Sequence, residues 1–193
     1  ESLGKIMAAL EALNILDNTC IILTSDNGYF YGEHGLSLER RLPYEESVRT
    51  PLIIRYPGAI SHPGQDDHFT LSIDYAPTIL DLAGIAIPAW MQGRSLVPLM
   101  QGPVKDWRQS FLMEYYSYEN PMPWLIDTDY KALRKGNYKY IRWYKYQDRD
   151  ELYDLESDPY EMHNLVHEPN MKSLASEMKT ELAQAAAEAM GLN

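Results

Sequence analysis

Ser25-Asp26-Asn27-Gly28 sets a carboxylate and an amide side by side, directly after an apolar run at residues 19–24. Both side chains offer hard oxygen donors, which suit calcium or magnesium rather than zinc. Calcium takes about six to eight oxygens, so a metal at Asp26 and Asn27 needs further carboxylates from elsewhere. The same four residues also spell an ordinary strand-ending Asx turn. Next comes Gly32-Glu33-His34-Gly35-Leu36. A histidine between glycines lies where backbone can approach a ligand, and His34 could donate to an oxyanion or a leaving group; the plain alternative is a solvated loop histidine. Arg40-Arg41 follow as two permanent cations. Planar guanidinium groups bind tetrahedral oxyanions in bidentate fashion, although paired arginines on an acidic chain are often just surface charge.

The elements that must hold these residues can be sketched from periodicity. Leu3, Ile6, Met7, Leu10 and Leu13 share one face of an opening helix. The apolar run at 19–24 has the pattern of a strand buried on both faces, and Asp26 and Asn27 fall at its carboxyl end, where open α/β sheets place ligands. Residues 29–50 look like a long functional loop with one helical turn. Residues 51–57 form a second buried strand, opened by Pro51 and closed by Pro57-Gly58. Asp74 and Pro77 start a helix that Gly84 stops. Beyond Gln101-Gly102-Pro103 the texture changes to short, aromatic-rich strands at 110–115, 131–133, 138–146 and 151–155, with a hairpin turn at Lys135-Gly136-Asn137. Leu174, Met178 and Leu182 then share a face of a closing helix. The expected organisation is a layered βα part over 1–105 and a small antiparallel sheet with its helix over 106–193.

Composition sets outer bounds. The 193 residues carry 17 basic and 28 acidic side chains, a net charge of −11. Such a chain repels nucleic acid and anionic membrane, so an anionic ligand must be drawn in by local basic groups. The seven basic residues between Lys131 and Arg149 interleave with aromatics and resemble a single-strand nucleic-acid platform, a reading that the net charge of −11 disfavours. No run approaches the roughly 18 apolar residues of a membrane span. Cys20 is the only cysteine, so neither an internal disulfide nor a cysteine metal cage is expected. His163 and His167 stand four apart without a third ligand nearby. No secretory signal is visible at residues 1–20, and a chain that opens inside a helix reads as a piece of something longer.

Taken together, SDNG (25–28), GEHGL (32–36), YEESVRTPLIIRYPG (44–58), DYAPTILDLAG (74–84), QGRSL (92–96) and ELYDLESDPYEMHNL (151–165) resemble, in order and spacing, the sulfatase family. The resemblance runs from the opening helix to Leu165. It implies an alkaline phosphatase-like α/β layered sheet followed by the antiparallel subdomain with its C-terminal helix. It also implies hydrolysis of sulfate esters or sulfamates by a formylglycine nucleophile, with phosphonate or phosphate ester hydrolysis as the nearest alternative in the superfamily. A non-catalytic chain that binds sulfated ligands is the rival from another class.

Residue by residue, Asp26 and Asn27 match the family's Asp-Asn pair at a Ca2+ site, with Mg2+ as the alternative. Arg40 stands four residues before Tyr44, where the family usually carries a sulfate-binding lysine, in a loop one residue longer than in similar chains. His34 matches a histidine near the substrate. The family's Cys/Ser-x-Pro/Ala-x-Arg signature is absent, and Cys20, followed by Ile21-Ile22-Leu23, reads as a small core residue. The formylglycine and the early paired aspartates of the metal site are therefore expected upstream, and this chain looks like the C-terminal portion. Expected partners are a sulfated small molecule or glycan, the N-terminal portion, or a second copy of the chain. The family is often periplasmic, extracellular or lysosomal, which leaves the compartment open.

Overall fold

The computed structural model describes residues 1–36, 39–117 and 127–191, which form two compact units. The first comprises Glu1–Asp26 and Pro51–Arg108, the second Asn27–Thr50 and Gln109–Asn193.

In the first unit, helix α1 (Ser2–Ala12) precedes strand β1 (Ile21–Thr24), which pairs antiparallel with β2 (Leu52–Arg55) so that Ile22 faces Ile54 and Leu23 faces Ile53. Alternation puts Leu52 and Ile54 on one face, where they pack against Leu96, Met100 and Trp107 from helix α4 (Val97–Gln101) and its flanks. The other face carries Leu23 and Ile53, which are 39% and 60% exposed. Burial on both faces, as the apolar runs suggested, is thus corrected to burial on one. The physical reason is that, among the described residues, the ladder packs against the α4 region on one face, while α1 buries none of its residues.

Helix α3 (Tyr75–Leu82) starts after Asp74, as the proline-start pattern predicts, and Gly84 ends it at a φ of +69°, in the left-handed region that favours glycine. Asp74 is fully buried and ties three segments together. Its Oδ2 accepts from Leu71 N at 2.8 Å, its Oδ1 from Arg94 N at 2.8 Å, and its carboxylate takes the Arg108 guanidinium in a two-pronged pair. Thr24 Oγ1 meets Tyr75 OH at 2.9 Å, fastening the end of β1 to the start of α3.

The second unit is built on a four-stranded antiparallel meander, β3 (Ser110–Tyr115), β4 (Tyr130–Lys135), β5 (Tyr138–Trp143) and β6 (Glu151–Asp154), in that spatial order. One face presents Leu133, Tyr140 and Leu152 to Ala175, Met178 and Leu182 of helix α5 (Lys172–Ala189). The three- and four-residue spacing on α5 makes that stripe, and each fully buried large apolar side chain contributes about 1.5–3 kcal/mol. The other face presents Tyr130, Ala132, Ile141 and Tyr153, packed against Tyr44, Tyr115 and Trp143. Phe30 and Leu42 extend that cluster through Tyr44 and Trp143. Phe30, Leu42 and Tyr44, from the segment at 27–50, therefore cover the second sheet face. Among the described residues no helix is long and apolar enough to cross a membrane.

Candidate functional site

The single helical turn foreseen within 29–50 is α2 (Glu45–Val48), and the sheet beneath holds it by a buried ion cluster. Lys139 points from β5 with no exposed surface. Its Nζ lies 2.8 Å from Glu45 Oε1, 2.8 Å from Glu161 Oε1, and donates to Pro43 O at 2.9 Å. Glu161 Oε2 accepts from Glu45 N at 2.7 Å, satisfying a free amide in the first turn of α2. Burial pushes the Glu161 carboxyl up to about 6, against the opposing pull of the Lys139 ammonium. Tyr44 is fastened to the same sheet. Its OH donates to Glu151 Oε2 at 3.1 Å, and that oxygen also takes Tyr153 OH at 2.9 Å. Burial first, and then the Glu151 carboxylate, push the Tyr44 phenol well above its ordinary range.

Ser47, itself buried, joins what precedes α2. Its carbonyl accepts from Gly28 N at 2.7 Å, and its Oγ donates to Arg40 O. The approach at Gly28 is so close that an added Cβ would sit 1.9 Å from Glu46 O, so no side chain fits there.

The two arginines separate cleanly. Glu39 is 3% exposed, and its Oε1 accepts from Arg40 N at 2.7 Å, Arg41 N at 2.8 Å and Arg41 Nη1 at 3.2 Å. Burial alone would push the Glu39 carboxyl up; the two backbone amides and the Arg41 guanidinium outweigh it and hold the group below its ordinary range. Arg41 is thus engaged with a buried carboxylate. Arg40 is exposed, and among the described residues no side-chain partner takes up its guanidinium.

His34 sits in a left-handed conformation at φ +55°. Its ring stacks on Tyr44 at 4.2 Å between centroids and stands edge-on to Phe30. Nε2 faces Glu46 Oε2 at 3.5 Å, and both atoms are buried without another hydrogen bond. That leaves Nδ1 as the edge available to a ligand. Asn27, His34 and Arg40 all belong to the second unit; Asp26 closes the Glu1–Asp26 segment of the first, two residues past the end of β1. Asp26 is exposed and Asn27 half-buried. Among the described residues no group of three or more His, Cys, Asp or Glu is placed to hold a metal.

Residues 32–188 match the family model described as N-sulphoglucosamine sulphohydrolase, C-terminal. The chain belongs to the sulfatase family. An N-acetylglucosamine-6-O-sulfatase of Bacteroides thetaiotaomicron is 40% identical over 168 residues, covering 86% of this chain and 29% of that protein. The solved structure of BT4656 in complex with its substrate D-glucosamine-2-N,6-O-disulfate superposes with a TM-score of 0.88 and 34% identity, over 97% of this chain and 38% of that one. The phosphonate monoester hydrolase of Agrobacterium radiobacter gives a TM-score of 0.83 with 27% identity, over 97% of this chain and 40% of that one. This sulfatase-family chain therefore spans about a third of the length of the relatives it matches, as their C-terminal portion, with their alkaline phosphatase-like α/β fold.

The sulfatase chain also holds residues its motifs did not single out. Lys139, Glu151 and Glu161 anchor the loop; strand alternation could mark only the first two, since Glu161 lies in the turn after β6. Lys139 shares the register side of Ile141, so it had to point inward. The basic run from Lys131 to Arg149 is partly spent on internal pairs: Lys131 lies 2.5 Å from Glu114, and Lys135 is 2.9 Å and 2.6 Å from Glu177 and Glu181. His163 and His167 are exposed and lie on no helix.

Proposed function

We propose that this chain is the part of a metal-dependent sulfatase that binds the sulfate group, acting on sulfate esters or sulfamates of an amino sugar. The observation that carries the reading is the division of labour at Arg40 and Arg41: one guanidinium is absorbed by buried Glu39, and its neighbour stands exposed beside a histidine loop held by the sheet. Family membership and the sulfated glucosamine bound by the BT4656 relative support the substrate class.

In this reading Arg40 binds the sulfate oxygens through paired N–H donors. His34, fixed against Tyr44 and facing Glu46, meets the substrate through Nδ1, where it holds or passes a proton at the bridging oxygen. Asp26 and Asn27, consecutive in the chain, would hold part of the shell of a calcium ion, or magnesium in its place. Their oxygen-only donor set fits such a cation. A divalent cation there supplies positive charge against the oxyanion that develops on sulfur transfer. The formylglycine nucleophile and the remaining carboxylates are assigned to residues upstream of this chain.

The test is turnover by the full-length enzyme of glucosamine 6-sulfate and of an aryl phosphonate monoester. The proposal expects the sulfate ester to be preferred, and preference for the phosphonate would overturn it in favour of the other superfamily chemistry. A sharper expectation concerns the arginines. Arg40→Ala should lower kcat/KM by roughly 10- to 150-fold, the loss of about 1.5–3 kcal/mol of charge-assisted bonding, with an unchanged melting temperature. Arg41→Ala should mainly lower the melting temperature, because it strips a buried carboxylate of its cation. If Arg41→Ala cripples turnover without destabilising and Arg40→Ala is silent, the extra loop residue has moved the sulfate-binding role to Arg41.

A further inference from the structure

We propose that the buried Lys139–Glu161 pair is a positioning device for both halves of the candidate site, acting through Ser47. The inference rests on the reading of Asn27 and Arg40 given above. Lys139 and Glu161 are 0% and 2% exposed and come from different parts of the chain, one on β5 and one in the turn after β6. Neither is spent on holding sheet strands together. Lys139 reaches Pro43 O and Glu45 Oε1, and Glu161 takes Glu45 N, so between them they grip residues 43–45 and fix where α2 begins. Glu161 does so from a left-handed backbone at φ +52°, a conformation unfavourable for a residue with a Cβ.

Two residues into α2, Ser47 passes that placement on in two directions. Its carbonyl receives Gly28 N, the amide next to Asn27, and its hydroxyl grips Arg40 O. Gly28 lies so close to Glu46 O that a shift of α2 must move Gly28 with it. One residue therefore sets the backbone on the metal side at 27–28 and on the sulfate side at 40. A buried ion pair is weak evidence for stability, since apolar residues of similar volume often replace one at no net cost. What such replacements cannot supply here is the amide acceptor and the three-way grip on residues 43–45. Lys139 and Glu161 are positioning residues; neither needs to touch substrate.

The experiment uses the full-length protein with Lys139→Met/Glu161→Met and, as a volume-conserving second variant, Glu161→Gln. Amide hydrogen exchange is read at Gly28, Glu45 and Ser47 against Leu133 and Ile141 in the sheet. The proposal expects Gly28 and Glu45 to lose at least about tenfold in protection while the sheet amides hold. Unchanged protection at Gly28 in both variants overturns it. So does a loss spread evenly over β4 and β5, which marks the pair as core alone. In the full-length enzyme the double-Met variant should then lose at least about tenfold in kcat/KM at a nearly unchanged melting temperature, and unchanged turnover beside selective loss of protection overturns the positioning role. A wild-type full-length enzyme with no sulfate turnover would instead defeat the proposed function and leave the exchange result standing.

Discussion

Asp26→Ala in the full-length enzyme is expected to abolish sulfate ester hydrolysis, a loss of at least about 10³ in kcat, whereas His163→Ala leaves it near wild type. Asp26 follows β1 by two residues, and the end of that strand is fastened by the Thr24–Tyr75 contact at 2.9 Å. Its exposed carboxylate is the one charged oxygen donor of the Ser25–Gly28 turn. On the proposed reading, removing it takes away both a ligand and the negative charge that would draw a divalent cation. His163 is exposed in the irregular segment before α5 and serves as the control. The check is steady-state kinetics with added calcium, together with a melting curve for each variant. Equal losses from both substitutions would contradict the placement of the metal.

Asp74→Ala is expected to destabilise the first unit by about 3–5 kcal/mol, read as a lower urea midpoint of the chain. The size follows from what the carboxylate holds. It satisfies the amides of Leu71 and Arg94 and neutralises Arg108, whose side chain is only 12% exposed. Alanine takes the acceptor away from two amides and from a mostly buried guanidinium, and each such group left short of a partner costs free energy. Asp74→Asn keeps the shape and some of the hydrogen bonds, so it should fall between wild type and alanine. A shift within about 0.5 kcal/mol for alanine, the range of ordinary surface substitutions, would refute the role.

Local patterns told most about local elements. Strand β3 occupies 110–115 as expected, α5 keeps the stripe of Met178 and Leu182, and Asp74, Pro77 and Gly84 bracket α3. Periodicity says which side of an element is apolar, but not what covers it. That is why the run at 19–24 read as doubly buried while Leu23 and Ile53 stand exposed on the open face of the ladder. The candidate site shows the same limit. Asp26, Asn27, His34 and Arg40 could be singled out as candidates because their types cluster within 15 positions of the chain. Lys139 and Glu161 could not, because they meet Glu45 across 94 and 116 positions, and a lysine in a strand carries no mark of what it will reach. The spacing before Tyr44 pointed to Arg40, but not to what separates it from Arg41: Glu39 accepts from both backbone amides, and only the Arg41 guanidinium pairs with its carboxylate.

The central claim, that this chain contributes the sulfate- and metal-binding part of an enzyme whose nucleophile lies upstream, is tested most directly by one turnover assay. Glucosamine 6-sulfate hydrolysis is measured for the 193-residue chain alone and for the full-length protein, each with calcium and with a chelator. The account predicts a blank for the chain alone and chelator-sensitive turnover for the full-length protein. Metal-dependent turnover by the chain alone would contradict it.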